Sequence, residues 1–286
     1  MSKHKPHITL LISCPDQPGI ISAVSSFIFK HNGNILESDQ YATNSQDCTF
    51  FMRISFDPQG FQLAPNELPS AFQPIANHFH MKWSVHYSQK RKRAAIFVSK
   101  LDHCLVDLLW RWKSGELEMD IPFIISNHPD LEPLAQMYSL PYHHFPVQRA
   151  THAEDEQRIL ECIRGKVDFL ILARYMQIIE PFFVAEYPDR IINIHHSFLP
   201  AFIGANPYQR AFDRGVKLIG ATSHYVTNNL DDGPILAQDV IRCSHGDTVE
   251  DLIRKGKDVE RRVLAEAVQL HIEDRVHVHQ NKTIVF

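Results

Sequence analysis

The chain has 286 residues, 44% of them hydrophobic and 22% charged, and a net charge of −4 with histidine neutral. That length allows one or two domains with real cores, and the mildly acidic balance excludes a general nucleic-acid-binding surface. The one basic run, Lys90-Arg91-Lys92-Arg93, reads as a solvated linker. Five cysteines, at Cys14, Cys48, Cys104, Cys162 and Cys243, are odd in number and widely spaced. This argues against a disulfide framework or a zinc cluster and fits a reducing cytoplasm. The apolar run over residues 8–12 is too short for a signal peptide, and nothing approaches the ~20 apolar residues of a membrane span. The expectation is a cytoplasmic protein with neither nucleic-acid nor membrane partners.

Residues 7–14 are apolar and β-branched and predict a strand. Ile20, Val24, Phe27 and Ile28 recur at helical spacing, which predicts a helix over 20–31 ended by Asn32-Gly33-Asn34. Residues 35–41 and 48–56 alternate, and the polar Asn44-Ser45-Gln46-Asp47 between them marks a hairpin. Residues 69–79 suit a second helix, with Pro74 awkwardly inside it, and residues 82–87 a closing strand. The order βαββαβ is ferredoxin-like. At its first turn, Asp16-Gln17-Pro18-Gly19 admits two readings. Gly19 lets the backbone approach a ligand and the helix start offers N–H groups to a carboxylate, or Asp16 merely caps the helix and Gly19 permits the turn.

After a linker at 89–93, residues 94–99, 121–127, 167–173 and 190–195 predict strands. Helical patterns lie between them at 104–113, 131–138 and 155–164. The unbroken apolar Phe169-Leu170-Ile171-Leu172-Ala173 suits a sheet covered on both faces. Alternating strands and helices imply a Rossmann-like, mostly parallel sheet with right-handed crossovers, and such sheets bind ligands beyond the carboxyl ends of their strands. A long helix over 248–270 follows, capped by Asp247 or Thr248. Residues 276–278 and 283–286 form a hairpin around Gln280-Asn281-Lys282. The expected class is α/β, with domains at 1–88 and 94–286.

Residues able to do chemistry concentrate between 192 and 233. Asn193 and His195 share a strand face because the side-chain period is two. Pro200 then turns the strand into a loop. Asp231 lies in Leu230-Asp231-Asp232-Gly233-Pro234, a turn that aims a carboxylate with no helix around it. Two donors beside one acid suit attack on a small carbonyl, although His195 also suits a satisfied core histidine. His196, on the other face, reads as structural. His143-His144 and His277-x-His279 lack a carboxylate or cysteine partner, so no metal site is expected. No Gly-x-Ser-x-Gly element supports a serine nucleophile.

Asn193-x-His195, Ser197-Phe198-Leu199-Pro200, His224-Tyr225-Val226 and Asp231, seven residues after His224, resemble the folate-dependent formyltransferase superfamily. The run His195-His196-Ser197-Phe198-Leu199-Pro200-Ala201-Phe202-Ile203-Gly204-Ala205, together with Cys14-Pro15-Asp16-Gln17-Pro18-Gly19, is similar to the formyltetrahydrofolate deformylase family. The resemblance covers nearly the whole chain. It implies an ACT domain followed by a formyltransferase-type domain, and hydrolysis of 10-formyltetrahydrofolate to formate and tetrahydrofolate with no further cofactor.

The resemblance also implies roles. Asn193 and His195 would donate to the oxyanion, or His195 would pass a proton to the departing folate nitrogen. Asp231 would hold the attacking water and favour the imidazolium of His195. His224 and Ser197 would support them. Met176, Gln177, Ile178 and Ile179, after the third strand of the catalytic sheet, would meet the folate, with Val226, Asn228 and Asn229 opposite. Met176 and Ile178 suit simple core packing as well, and Gln177 stands where a basic residue is usual. Asp16, Gly19 and Asn34 would bind glycine or methionine as effectors, and ACT pairing would give a homo-oligomer. The turn Val98-Ser99-Lys100-Leu101-Asp102-His103-Cys104 has no glycine and carries Asp102, unlike the phosphate-binding turn of the related glycinamide ribonucleotide transformylases. This favours water as acceptor. Formyl transfer to a small amine and a non-catalytic folate or amino-acid sensor are the alternatives.

Overall fold

A computed structural model describes residues 5–44, 48–148, 150–200 and 207–286. The chain divides into two compact units, Met1–Lys90 with Glu273–His277 and Ile284–Phe286, and Arg91–Ile272 with Val278–Thr283. No helix among the described residues is long and apolar enough to cross a membrane.

The first unit runs β1 (Ile8–Pro15), α1 (Ile20–Lys30), β2 (Asn34–Ala42), β3 (Thr49–Asp57), α2 (Leu68–His78) and β4 (Lys82–Tyr87). Its antiparallel sheet has the order β2-β3-β1-β4, the expected βαββαβ arrangement. Helix α1 buries Ile20, Val24, Phe27 and Ile28, the stripe read from their spacing. Asn32 takes the left-handed conformation after α1, with φ 60°. Gly33 is needed for room, because a Cβ there would lie 2.6 Å from Ile28 Cγ2. Helix α2 continues through Pro74, which sits on its exposed side. The carbonyl that proline leaves without an N–H partner is there open to hydration, and the packing of Leu68, Phe72 and Ala76 holds the helix. Ser45, Gln46 and Asp47 of the expected hairpin lie outside the described residues, but Ala42 pairs with Phe50 as a hairpin requires.

The second unit begins with β5 (Arg93–Val98), α3 (His103–Ser114), β6 (Asp120–Ser126), α4 (Glu132–Met137), β7 (Tyr142–His144), α5 (His152–Ile163) and β8 (Phe169–Leu172). It continues with α6 (Pro181–Glu186), β9 (Ile191–His195), α7 (Pro207–Arg214), β10 (Leu218–Tyr225), β11 (Ile235–Arg242) and α8 (Val249–Ile272). The sheet order is β11-β10-β9-β8-β5-β6-β7, parallel from β9 to β7, with β10 and β11 antiparallel at one edge. Five elements were not read from the sequence: α6, α7, β7, β10 and β11. Because β7 intervenes, residues 174–179 follow the fourth strand of this sheet in chain order, not the third. Thr248 caps α8 reciprocally: Asp251 N donates to Thr248 Oγ1 at 3.2 Å and Thr248 N to Asp251 Oδ2 at 3.1 Å. β12 (Val276–His279) and β13 (Lys282–Val285) form the closing hairpin.

The basic run is only partly a solvated linker. Arg93 opens β5 and grips both oxygens of Asp168, at 2.9 and 3.1 Å, and Lys92 Nζ donates to the His271 carbonyl. In the first unit, Phe72 is fully buried, with ring centroids 5.2 Å from Phe27 and 4.7 Å from Trp83. Phe72→Ala is expected to destabilise this unit by about 3–5 kcal/mol, read as a lowered midpoint of its urea unfolding.

Candidate active site

Strands β9 and β10 pair so that Asn193 faces His224 and His195 faces Thr222. Cross-strand partners point to one face, so these four side chains share it. His195 Nδ1 lies 3.2 Å from Asp231 Oδ1. Its Nε2 is buried and has no hydrogen-bond partner among the described residues. A satisfied core histidine would have both nitrogens engaged; this one keeps a nitrogen free. His224 Nδ1–H donates to the Tyr225 carbonyl at 2.9 Å. That leaves Nε2 to accept an N–H of the Asn193 amide, 3.2 Å away, which fixes the amide with its second N–H available.

Asp231 sits in the left-handed region, with φ 55°. The hydrogen bond from His195, with the His224 imidazole also close at 3.8 Å, holds its carboxyl far below the usual carboxylate range. It is an anion at neutral pH and a poor proton acceptor. Gly233 closes this turn against β10: a Cβ there would fall 1.7 Å from the Tyr225 carbonyl oxygen. Tyr225 N also donates to the Pro234 carbonyl at 2.9 Å. Asn229 lies within the same loop, donating to Asp232 Oδ2 at 3.3 Å, and Asn228 is exposed.

Ser197 contributes to the frame through its carbonyl, which accepts from Thr222 Oγ1 at 2.9 Å. Thr222 Oγ1 also accepts from Leu199 N and from Gln238 Nε2. Thr222 and Gln238 were not singled out from the sequence; the one signal was a polar pair at strand spacing inside an apolar setting. Residues 201–205 of the sequence motif lie outside the described residues.

In the segment after β8, Met176 and Ile178 are 57% and 64% exposed, so core packing does not account for them. Ile179 is buried with Tyr175, Gln177 is half-buried, and Val226 packs against the same core. Ser99 Oγ accepts Met176 N at 3.0 Å and fixes the segment's start. Glu156 accepts Glu180 N at 3.0 Å and fixes its end. Burial pushes the Glu156 carboxyl up to about 7.

A buried cluster lies behind His195. Glu260 accepts Tyr208 O–H on Oε1 at 2.7 Å and His103 Nε2–H on Oε2 at 2.8 Å, with Arg174 Nε 3.5 Å from Oε2. His103, Cys104 and Glu260 stand close enough to share a metal ion, but their chemistry does not suit one. Both Glu260 oxygens are engaged, burial holds the Cys104 thiol protonated, and the Arg174 guanidinium would repel a cation. His143, His144, His277 and His279 join no such group among the described residues. His196 is half-buried between His195 and Tyr208, at ring-centroid distances of 5.3 and 6.1 Å. Burial pushes its imidazole down to about 4, so it is neutral.

In the first unit, α1 is capped by Gly19 at φ 97° with no side-chain hydrogen bond, so Asp16 is not its cap. Asp16 instead receives the Cys48 thiol at 3.6 Å. Asn34 pairs with Asp57, whereas Pro15, just before Asp16, pairs with Thr49. Within one chain, Asn34 and Asp16 therefore stand at opposite ends of the sheet, about 25 Å apart at the strand rise of ~3.3 Å per residue.

The family described as ACT domain matches residues 8–64, and the family described as Formyl transferase matches residues 92–268. Fold and site together define a formyltransferase-type module joined to an ACT domain. The formyltetrahydrofolate deformylase of Bacillus subtilis is 54% identical over 97% of this chain and 93% of its own length. The crystal structure of a formyltetrahydrofolate deformylase from Pseudomonas syringae superimposes with a TM-score of 0.97 at 45% identity, covering 99% of this chain and 95% of that one. The glycinamide ribonucleotide transformylase 1 of Symbiobacterium toebii matches with a TM-score of 0.62 at 30% identity, over 68% of this chain and 94% of that one. The chain belongs to the formyltetrahydrofolate deformylase family.

Gly233→Ala must displace the turn that carries Asp231, since its Cβ would lie 1.7 Å from a backbone oxygen. Turnover is expected to fall by about 10²-fold with far-ultraviolet circular dichroism unchanged. Glu156 yields a pH dependence. Its raised value means the native state holds a proton that the unfolded chain, with an ordinary glutamate near ~4.3, has released. Its contribution to stability is full below that ordinary value and lost as the pH rises through about 7. In Glu156→Gln, neutral throughout, Tm should fall less steeply across this window than in wild type; parallel profiles would rule the assignment out.

Proposed function

We propose that this chain hydrolyses 10-formyltetrahydrofolate to formate and tetrahydrofolate. The observation that carries this reading is the divided imidazole of His195, with one nitrogen on the ionised Asp231 and the other buried and free. The formyl carbonyl sits against the free N–H of Asn193 and against His195. Asp231 orients the water that attacks the formyl carbon. A C–O bond forms, and the oxyanion is held by the two donors. His195 Nε2 takes the water's first proton as that bond forms and delivers it to the folate nitrogen as the C–N bond breaks. The second proton leaves with formic acid, which ionises to formate. Asp231 is too weak a base to do more than orient water and stabilise the imidazolium.

Met176, Gln177, Ile178 and Ile179 receive the folate from one side and Val226, Asn228 and Asn229 from the other. The exposure of Met176 and Ile178, in a segment pinned at both ends, supports this assignment. The reaction needs no cofactor, and the charge of Arg174 beside Glu260 weighs against a metal. Formate so released supplies purine synthesis and balances the one-carbon folate pools. Glycine or methionine binds as effector at Asp16, Gly19 and Asn34. Their separation within one chain favours a site completed by a second copy. The edge strand β2, exposed along its length with Ile35, Leu36 and Tyr41 open, supports such pairing in a dimer or tetramer. Five free cysteines fit a cytoplasmic setting.

The test is formate release from 10-formyltetrahydrofolate by purified protein with no acceptor added. Wild type is expected to give formate and tetrahydrofolate in equal amounts. Asp231→Asn should lose about 10²–10⁴-fold in kcat with little change in KM. Near-wild-type turnover in Asp231→Asn would sink the assigned role. Folate binding without formate would replace hydrolysis by transfer to an amine or by a non-catalytic sensor.

A further inference from the structure

Three buried nitrogens of the second unit have no hydrogen-bond partner among the described residues: His195 Nε2, Arg174 Nε and His103 Nδ1. His195 ends β9, Arg174 follows β8 after Ala173, and His103 opens α3 after β5. These three strands are consecutive, parallel neighbours. The three nitrogens therefore emerge along one carboxyl edge, on strands about 4.8 Å apart. The hydrolysis proposed above uses only the first.

Arg174 is the unusual member. It is 9% exposed, and its Nε, 3.5 Å from Glu260 Oε2, makes no hydrogen bond to a described residue. Its backbone takes φ 64°, a region that residues with a Cβ rarely occupy. The ion pair with Glu260 accounts for its charge but not for its donors, since Nε stands 3.5 Å from Oε2 without a hydrogen bond. Buried donors without acceptors are costly, and the guanidinium fork matches a carboxylate. Helix α3, whose His103 shares Glu260 with Arg174, starts with no side-chain cap hydrogen bond from Asp102.

Hydrolysis turns a neutral formamide into an anion. We propose that Arg174 and His103, the latter as an imidazolium that donates Nε2–H to Glu260 and Nδ1–H to the ligand, form a receiving site for a small carboxylate, the formate released at His195. This rests on the hydrolase reading for the identity of the ligand. The charges around it permit an anion. Glu260 is neutralised by Arg174 and its two donors, Asp231 is held by His195 and His224, and Asp102 is exposed. His196, between His195 and Tyr208, is neutral. A ligand of three heavy atoms binds no tighter than about 1 mM, which suits a product that must leave.

The experiment is titration of the whole protein with sodium [13C]formate, followed by formate line width, without folate and at constant ionic strength set with chloride. Wild type is expected to broaden the signal. Arg174→Gln and His103→Asn should weaken binding at least about tenfold, and Arg174→Lys, which keeps the charge opposite Glu260 but loses the fork, by several-fold. Thermal melts report folding, and Arg174→Lys decides if Arg174→Gln does not fold. Equal broadening by wild type and the variants, no broadening by wild type, or displacement by equimolar chloride overturns the site. Formate binding without formate release from the folate would overturn the hydrolase reading and leave the carboxylate site standing. Release without binding would overturn the site alone.

Discussion

The carboxylate of Asp231, placed between two imidazoles, is the contact on which the site depends. It orients His195 through Nδ1 and faces His224 Nε2, which in turn holds the Asn193 amide. All three are reached from one turn, and that turn stands where it does because Gly233 lets it lie against the Tyr225 carbonyl. The antiparallel pairing of β9 with β10 supplies the rest. It sets His224 across from Asn193 and Thr222 across from His195. A parallel edge strand would bring the chain past the site in the opposite sense and carry the aspartate turn away from it.

Placing so many polar groups inside a sheet has a cost that the surrounding residues offset. Thr222, Ser223 and His224 are at most 2% exposed, and each finds partners in β9 or in the loop after it. Thr222 binds the carbonyl of Ser197 and the N–H of Leu199, and Ser223 binds the Asn193 carbonyl. An unpartnered hydroxyl in such a place would cost about 1–3 kcal/mol. Satisfied, these groups make the strand ends rigid and leave His195 Nε2 and one Asn193 N–H as donors for a substrate. The free energy of burial is concentrated where geometry matters to the chemistry.

The elements legible in the sequence were those whose apolar residues kept one period. α1, β5, β6, β8 and α8 bury what their spacing promised. Strand β10 was not legible as a strand because Thr222, Ser223 and His224 interrupt its apolar pattern with buried polar groups. β7 has three residues, too few to show alternation. Of the site, Asn193, His195 and Asp231 were found through motif and turn chemistry, and the structure brings them together. What the sequence could not reveal was register. Asp16 and Asn34 were assigned to one effector site by the resemblance, yet the strand pairing sets them at opposite ends of the sheet. Arg174 gave no signal, because a positive φ and unmet donors exist only in three dimensions.

The electrostatics of the site bear on which steps are open to it. A carboxylate held far below its usual range cannot strip a proton from water before attack. In the proposed hydrolysis, proton loss from the water then accompanies bond formation to carbon, when the developing charge makes that proton acidic enough to pass to His195 Nε2. The same depressed value keeps a full negative charge on Asp231 beside His195 Nδ1, which in the proposed hydrolysis favours the imidazolium that protonates the departing nitrogen. On this reading one anion serves two ends of the reaction without changing its own charge. His196, neutral and adjacent, adds no competing charge to His195. The burden therefore falls on position, and position is what the two strands and the glycine turn fix.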